Sequence, residues 1–364
     1  MNALIAPNAF KGTLTALEAG DIIAQTIGAK HPSWTIKIHP IADGGDSTCA
    51  LLNNYLGLKS IEVWGLDALG RPIQTSFGWE ESSKTAYIDV SAASGVGTLQ
   101  EEEKNPNVAS TFGTGLLIRK AAELGAKHIV LGLGGSATVD LGLGILQACG
   151  FTFLNEGGKE LIPFSPGIIS KLKHIQRSPA VPKLSFTCLC DVKNPFFGKQ
   201  GAIPVFGPQK GLKNEDLKVF EEDAHQLIKI LENKSKTRFK DQAGFGAAGG
   251  IALGLSFFFP LKISFGANYF FEKTGLESAV VDSDLIITGE GKYDEQSSSG
   301  KACFELLKLA KLHQKKIVLI TSGLEAQEAG FDKVLTLPDL DFSHKNFKKL
   351  ATQNLIQVSN QIED

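Results

Sequence analysis

The chain has no surplus of either charge: 37 Lys and Arg stand against 39 Asp and Glu, a net charge of −2. A nucleic-acid binder carries a basic excess, so that class is disfavoured from the start. Cysteine is sparse and odd in number. Cys49, Cys149, Cys188, Cys190 and Cys303 lie scattered through the chain, which excludes a disulfide framework and fits reduced thiols in a cytoplasmic protein. Cys188 and Cys190 form a C-x-C on one face of a strand-like run, with no second Cys/His pair at zinc-finger spacing, and no H-E-x-x-H occurs. The N-terminal run Ala3-Leu4-Ile5-Ala6 lacks the basic flank and cleavage site of a signal peptide. A stretch of 19 residues without a charge, from Ala243 to Leu261, contains five glycines and Pro260. It is too weakly apolar for a membrane span and reads as a glycine-rich turn leading into a buried helix. No G-x-x-x-x-G-K-[ST] occurs, so a Walker-type kinase is excluded at motif level.

What is present is a globular chain of 364 residues, 43% hydrophobic and 21% charged, long enough for two domains. Glycine is abundant, 39 residues without a collagen-like period, and marks turns and close backbone approaches. Short apolar runs alternate with stretches of helical periodicity: strands at 2–6, 34–39 and 60–64, helices at 15–29 and 46–56. The same alternation returns with strands at 284–288, 316–321 and 333–337 and helices at 300–312 and 345–360. Strands alternating with helices predict βαβ units on a parallel sheet. Residues 1–71 and 283–364 are therefore expected to form one discontinuous, doubly wound, parallel-sheet domain. Residues 72–282 would form an inserted α/β domain, opening on an antiparallel pair at 72–79 and 84–90.

Open parallel sheets bind ligands beyond the carboxyl ends of their strands. Four such ends in the outer domain pair small residues with charged or hydroxyl groups: Pro7 to Gly12, Ala42 to Ser47, Thr288 to Asp294, and Thr321-Ser322-Gly323. Any one of them suits a simple turn; four on one rim favour a site. The stronger signal is Gly132-Leu133-Gly134-Gly135-Ser136-Ala137-Thr138-Val139-Asp140, which follows a strand and precedes a helical run. Glycine N–H groups, a helix N-terminus and the Ser136 and Thr138 hydroxyls form a natural phosphate cradle. The same loop contains Gly132-x-Gly134-x-x-Ala137, a dinucleotide fingerprint with Glu156 past the next strand, so an NAD-dependent oxidoreductase is the rival reading. A non-catalytic sugar-acid-binding protein is a third. Asp191 ends an apolar strand just before Pro195, and Gln209 and Lys210 are displayed by a turn.

In this order the motifs resemble the bacterial type-1 glycerate kinase family. They run from Ile5-Ala6-Pro7-Asn8-Ala9-Phe10-Lys11-Gly12 through Ala42-Asp43-Gly44-Gly45-Asp46, Gly132 to Asp140, Cys190-Asp191-Val192, Phe206 to Gly211 and Gly244 to Gly250 to Thr288-Gly289-Glu290-Gly291. The resemblance implies a flavodoxin-like domain interrupted by a second α/β domain, with the active site in the cleft between them. It further implies ATP- and Mg²⁺-dependent phosphorylation of D-glycerate, with 2-phosphoglycerate the favoured product. On that footing Gly134, Gly135, Ser136 and Thr138 are expected to hold nucleotide phosphates. Asp191 and Asp43 would share the roles of Mg²⁺ ligand, for which Asp191 is the first choice, and of base toward the glycerate hydroxyl. Lys11 and Arg71 would bind the substrate carboxylate or balance transition-state charge, and Glu290 and Asp294 would face the substrate. The chain departs from the family pattern at Asn8 and Lys193, where acids are usual, and at Val139 and Leu141, where Asn and Gly are.

Overall fold

The computed structural model describes residues 1–293, 300–323 and 325–363. Among them are thirteen strands: β1 (Asn2–Ile5), β2 (Thr35–Ile38), β3 (Lys59–Leu66), β4 (Pro72–Glu80), β5 (Thr85–Asp89), β6 (His128–Gly132), β7 (Phe151–Leu154), β8 (His174–Arg177), β9 (Ser185–Cys190), β10 (Leu261–Phe265), β11 (Leu285–Lys292), β12 (Lys316–Ser322) and β13 (Lys333–Thr336). The chain divides into two compact units, Met1–Asp43 with Gly266–Asp364, and Gly44–Phe265.

In the first unit the sheet order is β13-β12-β11-β1-β2, and every pairing is parallel. Counted along that unit alone, this is 2-1-3-4-5, the flavodoxin-like order of a doubly wound sheet. Its central strands β1, β11 and β12 are largely buried apolar runs, as strands covered on both faces require. Ala3, Ile5, Ile287 and Ile320 are buried with Ile23 and Ile27 of the helix Ala16–Lys30. That helix starts where it does because Thr15 and Glu18 form a capping box. The Thr15 hydroxyl accepts from Glu18 N at 3.2 Å, and the Glu18 carboxylate accepts from Thr15 N at 2.8 Å.

The second unit holds a six-stranded mixed sheet of order β10-β9-β6-β5-β4-β3, parallel from β10 to β5 and antiparallel at the β4 and β3 edge. A separate two-stranded ribbon pairs β7 with β8. Its core runs from Phe77 and Ile88 through Leu131 and Leu146 to Phe186 and Ile251. The run that imitates a membrane span is a glycine turn, a buried helix Ile251–Ser256 and then β10. Among the described residues no helix is long and apolar enough to cross a membrane.

One strand changes sheets relative to the sequence expectation, and the unit boundaries move with it. The run at 60–64 was expected in the outer, parallel sheet. It forms β3, paired antiparallel with β4 over eight residues from Lys59↔Trp79 to Leu66↔Pro72. The reason lies in the connection. Asp67 N donates to Arg71 O, and the Asp67 carboxylate accepts from the Leu69 and Arg71 N–H groups, closing a tight hairpin turn. So short a link cannot carry a parallel crossover. The units therefore meet the chain at Asp43/Gly44 and Phe265/Gly266 rather than at 71/72 and 282/283.

Ile287 is fully buried at the centre of the first sheet, opposite Ile5 and Val318. Ile287→Ala should remove about 2–5 kcal/mol of stability by leaving a cavity, read as a lower urea midpoint at unchanged slope. An unshifted midpoint would contradict this packing.

Candidate active site

In the first unit the polar groups gather at the carboxyl ends of β1, β2 and β11. The chain leaving β1 is tied to β11 by Ala6 N to Ile287 O (2.7 Å) and Asn8 N to Gly289 O (2.8 Å). Asn8 Nδ2 donates to Asp43 Oδ2 at 3.0 Å, while Asn8 Oδ1 accepts from Ala9 N. A carboxylate at position 8 would be a second acceptor facing Asp43; the amide makes the pair a donor and an acceptor instead. Asp43 and Glu290 are both buried. Both act on the Cys303 thiol, which burial first, then Glu290 and more weakly Asp43, push well above its ordinary value. Lys11 is exposed on the same loop, and a Cβ on Gly291 would lie 3.1 Å from Lys11 N, so this backbone adjoins the end of β11. Asn8, Lys11, Asp43 and Glu290 thus belong to one rim. Asp294 lies outside the described residues.

In the second unit the glycine-rich loop leaves β6 and is clamped from two sides. Gly134 N donates to Gly44 O, Val96 N donates to Gly135 O and Ala137 N donates to Ser94 O. A Cβ on Gly134 would fall 2.2 Å from the Gly45 carbonyl carbon, and one on Gly44 would fall 2.8 Å from the Cys190 backbone. The 44–46 segment therefore lies across the carboxyl ends of β6 and β9, with Asp191, half-buried, just beyond β9. Glycine is demanded here by the approach of protein backbone, and the N–H groups of Gly134 and Ala137 already have protein acceptors. The Gly244–Gly250 turn has a similar cause, since a Cβ on Gly249 would meet Thr138 O at 2.1 Å.

The helix expected at 140–149 is present but does not open at the glycines. The next helix begins at Leu143, and the Asp140 carboxylate takes its first N–H groups, those of Gly142 (3.1 Å) and Gly144 (3.3 Å), together with Thr111 N and Oγ1 at 2.8 Å. Burial pushes Asp140 above the usual carboxylate range against those hydrogen bonds. This also removes the geometry the dinucleotide fingerprint needs, because its helix must open at the glycines. The fingerprint's next strand, β7, is in the separate ribbon, not beside β6. Between Asp140 and the glycines, Leu141 holds a left-handed φ of 50° while wholly buried. A glycine adopts that backbone without strain, and here the leucine side chain packs into the core instead.

Two expected site residues change standing. Arg71 closes the β3–β4 turn: its Nε donates to Asp67 Oδ2 at 2.5 Å and its Nη1 to Glu103 Oε1 at 2.6 Å. Those donors hold a hairpin together, so the guanidinium is not carried forward as a substrate group. The Thr138 hydroxyl is sealed in the interior and makes no hydrogen bond among the described residues.

Two residues were missed. Lys210, expected on a displayed turn, is 4% exposed; its Nζ donates to Ser136 Oγ at 2.7 Å and to Thr138 O at 2.8 Å. Burial lowers its pKa to about 7, with the Asp140 charge working in the opposite direction. The glycines flanking it at 207 and 211, the latter at φ 92°, turn the short helix Pro208–Lys210 inward. The other is Asp89, at the end of β5 beside Gly132. It borders a cavity of about 290 Å³ with Asp46, Ser47, Asn53, Thr75 and Ser91. Its carboxylate accepts from Cys49 N and Ala50 N at 3.0 Å. A lone acid ending a strand-like run gave no sequence signal.

Both units thus carry their polar groups at the carboxyl ends of parallel strands, the arrangement of α/β enzymes, and the second adds a buried ammonium behind a glycine-rich loop. The class this defines is an α/β enzyme for anionic ligands. The description of the glycerate kinase family matches residues 3–364. The chain is 36% identical over 327 residues to a glycerate kinase of Bacillus subtilis (strain 168), covering 89% of this chain and 85% of that one. It is 33% identical over 327 residues to a glycerate 2-kinase of Escherichia coli (strain K12), covering 89% and 86%. A solved structure described as a glycerate kinase 2 from Salmonella typhimurium LT2 matches with a TM-score of 0.79 at 30% identity, over 99% of this chain and 96% of that one. The chain belongs to the glycerate kinase family, and it is a kinase.

Burial pushes Asp89 up to about 6 against the Cys49 and Ala50 N–H groups, with Asp46 adding to the rise. Its folded pKa lies above the unfolded one, near 3.9. The folded chain therefore binds the extra proton, and this contribution to stability is present below about pH 4 and lost as pH rises to about 6. Subtracting the urea stability of Asp89→Asn from that of wild type at pH 4.5 and at pH 7 should show a loss of about 2 kcal/mol between the two. A difference independent of pH would refute the assignment.

Proposed function

We propose that this chain transfers the γ-phosphoryl group of ATP to a hydroxyl of D-glycerate, giving 2-phosphoglycerate, in the cytoplasm. The observation that carries the reading is the match to the glycerate kinase family from residue 3 to 364, combined with the Lys210–Ser136 pair behind the glycine loop. The 2-position is favoured by the relative named glycerate 2-kinase. Five buried, free thiols suit a reducing compartment.

The donor set suits a nucleotide held by its phosphates. Ser136 is to face the phosphoryl oxygens, with the Lys210 charge behind it. Among the described residues no three His, Cys, Asp or Glu side chains converge as metal ligands. Mg²⁺ in phosphoryl transfer is commonly held by one or two carboxylates and completed by phosphate oxygens, so the residues present fit it with Asp191 as the ligand. When bound, the ion neutralises charge on those oxygens.

Phosphoryl transfer asks a protein for position and charge more than for covalent chemistry. Asp43 is the base in this reading: the Asn8 amide fixes one of its oxygens and leaves a single negative charge on the pair. Lys11, exposed on the neighbouring loop, is to meet the glycerate carboxylate, and Glu290 orients a substrate hydroxyl by accepting from it.

The direct test couples ADP release to glycerate addition in the presence of ATP and Mg²⁺, with the product identified by NMR. Glycerate-independent ADP release, or tight NAD binding without turnover, would overturn the reading. Asp191→Asn keeps the size of the side chain and removes its charge. It should cut kcat by roughly 10²-fold or more with an unchanged far-UV circular dichroism spectrum, and a folded variant of near-wild-type kcat would remove Asp191 from the mechanism.

A further inference from the structure

The proton of a hydroxyl goes where an acceptor is, and at Ser136 the described residues supply none. The residue is 6% exposed, and its side chain makes one hydrogen bond among the described residues, received from Lys210 Nζ. In its protonated form Lys210 has three donors and no acceptor, so in that state Ser136 can only accept from it. The lone pair facing Lys210 is thereby used, and the O–H is turned away. Two residues on, the Thr138 carbonyl accepts from the same ammonium while the Thr138 hydroxyl lacks a partner, so Lys210 grips the loop on both sides of Ala137. A buried hydroxyl donor without an acceptor costs stability unless a ligand completes it. A buried ammonium flanked by one carboxylate, Asp140, that is already engaged by four protein donors leaves positive potential for that ligand.

We propose that Lys210 is the positioning residue of the phosphate site, forcing the Ser136 hydroxyl to donate to an anionic phosphoryl oxygen of the nucleotide and supplying the charge behind that bond. This rests on the phosphotransferase reading above and adds to it a cation that no loop glycine provides. The part played in Walker-type enzymes by a lysine inside the phosphate loop is here taken by a lysine 74 residues further along the chain, reaching the loop from behind. Its effect is on nucleotide affinity rather than on proton transfer, since its ammonium is engaged by Ser136 and Thr138 rather than by the acids.

The test measures ADP binding by calorimetry and steady-state kinetics in the full chain for Lys210→Met, Ser136→Ala and the double variant, with folding checked by circular dichroism. Each single variant should raise the ADP dissociation constant and the ATP KM, Lys210→Met by roughly 10- to 100-fold, with kcat changed far less. The double variant should be little worse than Lys210→Met alone, because Ser136 acts through the orientation Lys210 imposes. A folded Lys210→Met chain of wild-type ADP affinity, or strictly additive losses, would overturn the proposal. Should Lys210→Met fail to fold, Ser136→Ala decides: unchanged ADP affinity there overturns it equally. Reduced ADP binding in the variants alongside a wild type that ignores glycerate would remove the proposed function and leave this inference standing.

Discussion

A lysine ammonium enclosed by protein is costly, and the shape of the second unit's polar rim depends on how this one is accommodated. Among the described residues Lys210 is satisfied by the 136–138 segment, so that segment must stay where the ammonium can reach it. Other contacts follow from the same requirement. Ser94 and Val96 bracket the loop from one side, Gly44 holds it from another, and Gly249 comes against Thr138 so closely that no side chain fits. Asp140 then closes the far end of the loop by taking the N–H groups of the following helix. The glycines of three separate motifs are thus explained by one packed centre. They leave room for backbone to meet backbone, and the ligand-facing chemistry is left to a hydroxyl and a cation.

The first unit solves a different problem. Its two buried carboxylates, Asp43 and Glu290, stand at the carboxyl ends of β2 and β11, on either side of β1. The amide of Asn8 meets one of them with a donor, and the Cys303 thiol, made a poor acid by burial and by those acids, remains protonated beside them. Each unit therefore arrives with one kind of equipment: acids and an exposed lysine in the first, a buried cation, a hydroxyl and a strand-end acid in the second. A kinase needs both kinds, since phosphoryl oxygens call for positive charge and a hydroxyl nucleophile for an acceptor of its proton.

Much of this was legible before any coordinates. Apolar runs of four to eight residues bounded by Gly, Asp and Pro are strands almost wherever they occur, and β1, β2, β9, β11, β12 and β13 lie where periodicity places them. The ordered motifs from Pro7 to Gly291 resemble one family across the chain, and the comparisons agree. Legibility failed where a short connection outweighed the alternating pattern. The run at 60–64 has the composition of a parallel strand, yet five residues from Asp67 to Arg71 make a turn that only an antiparallel partner can use. It failed again at Arg71, whose charge suggested a substrate and whose acceptors are Asp67 and Glu103.

By itself the sequence determined the class of fold, the family and the strand ends at which chemistry gathers. These follow from local periodicity and from short motifs, in which every participant is within a few residues of the next. The tertiary structure decided which groups are charged, paired or enclosed. Lys210 looks like any lysine in a glycine-bracketed turn until the fold buries it against Ser136. Thr138 looks like a phosphate donor until its hydroxyl is shut inside. Burial and partnership depend on residues far apart in the chain, and the free energy of a polar group is set by its surroundings rather than by its neighbours in sequence.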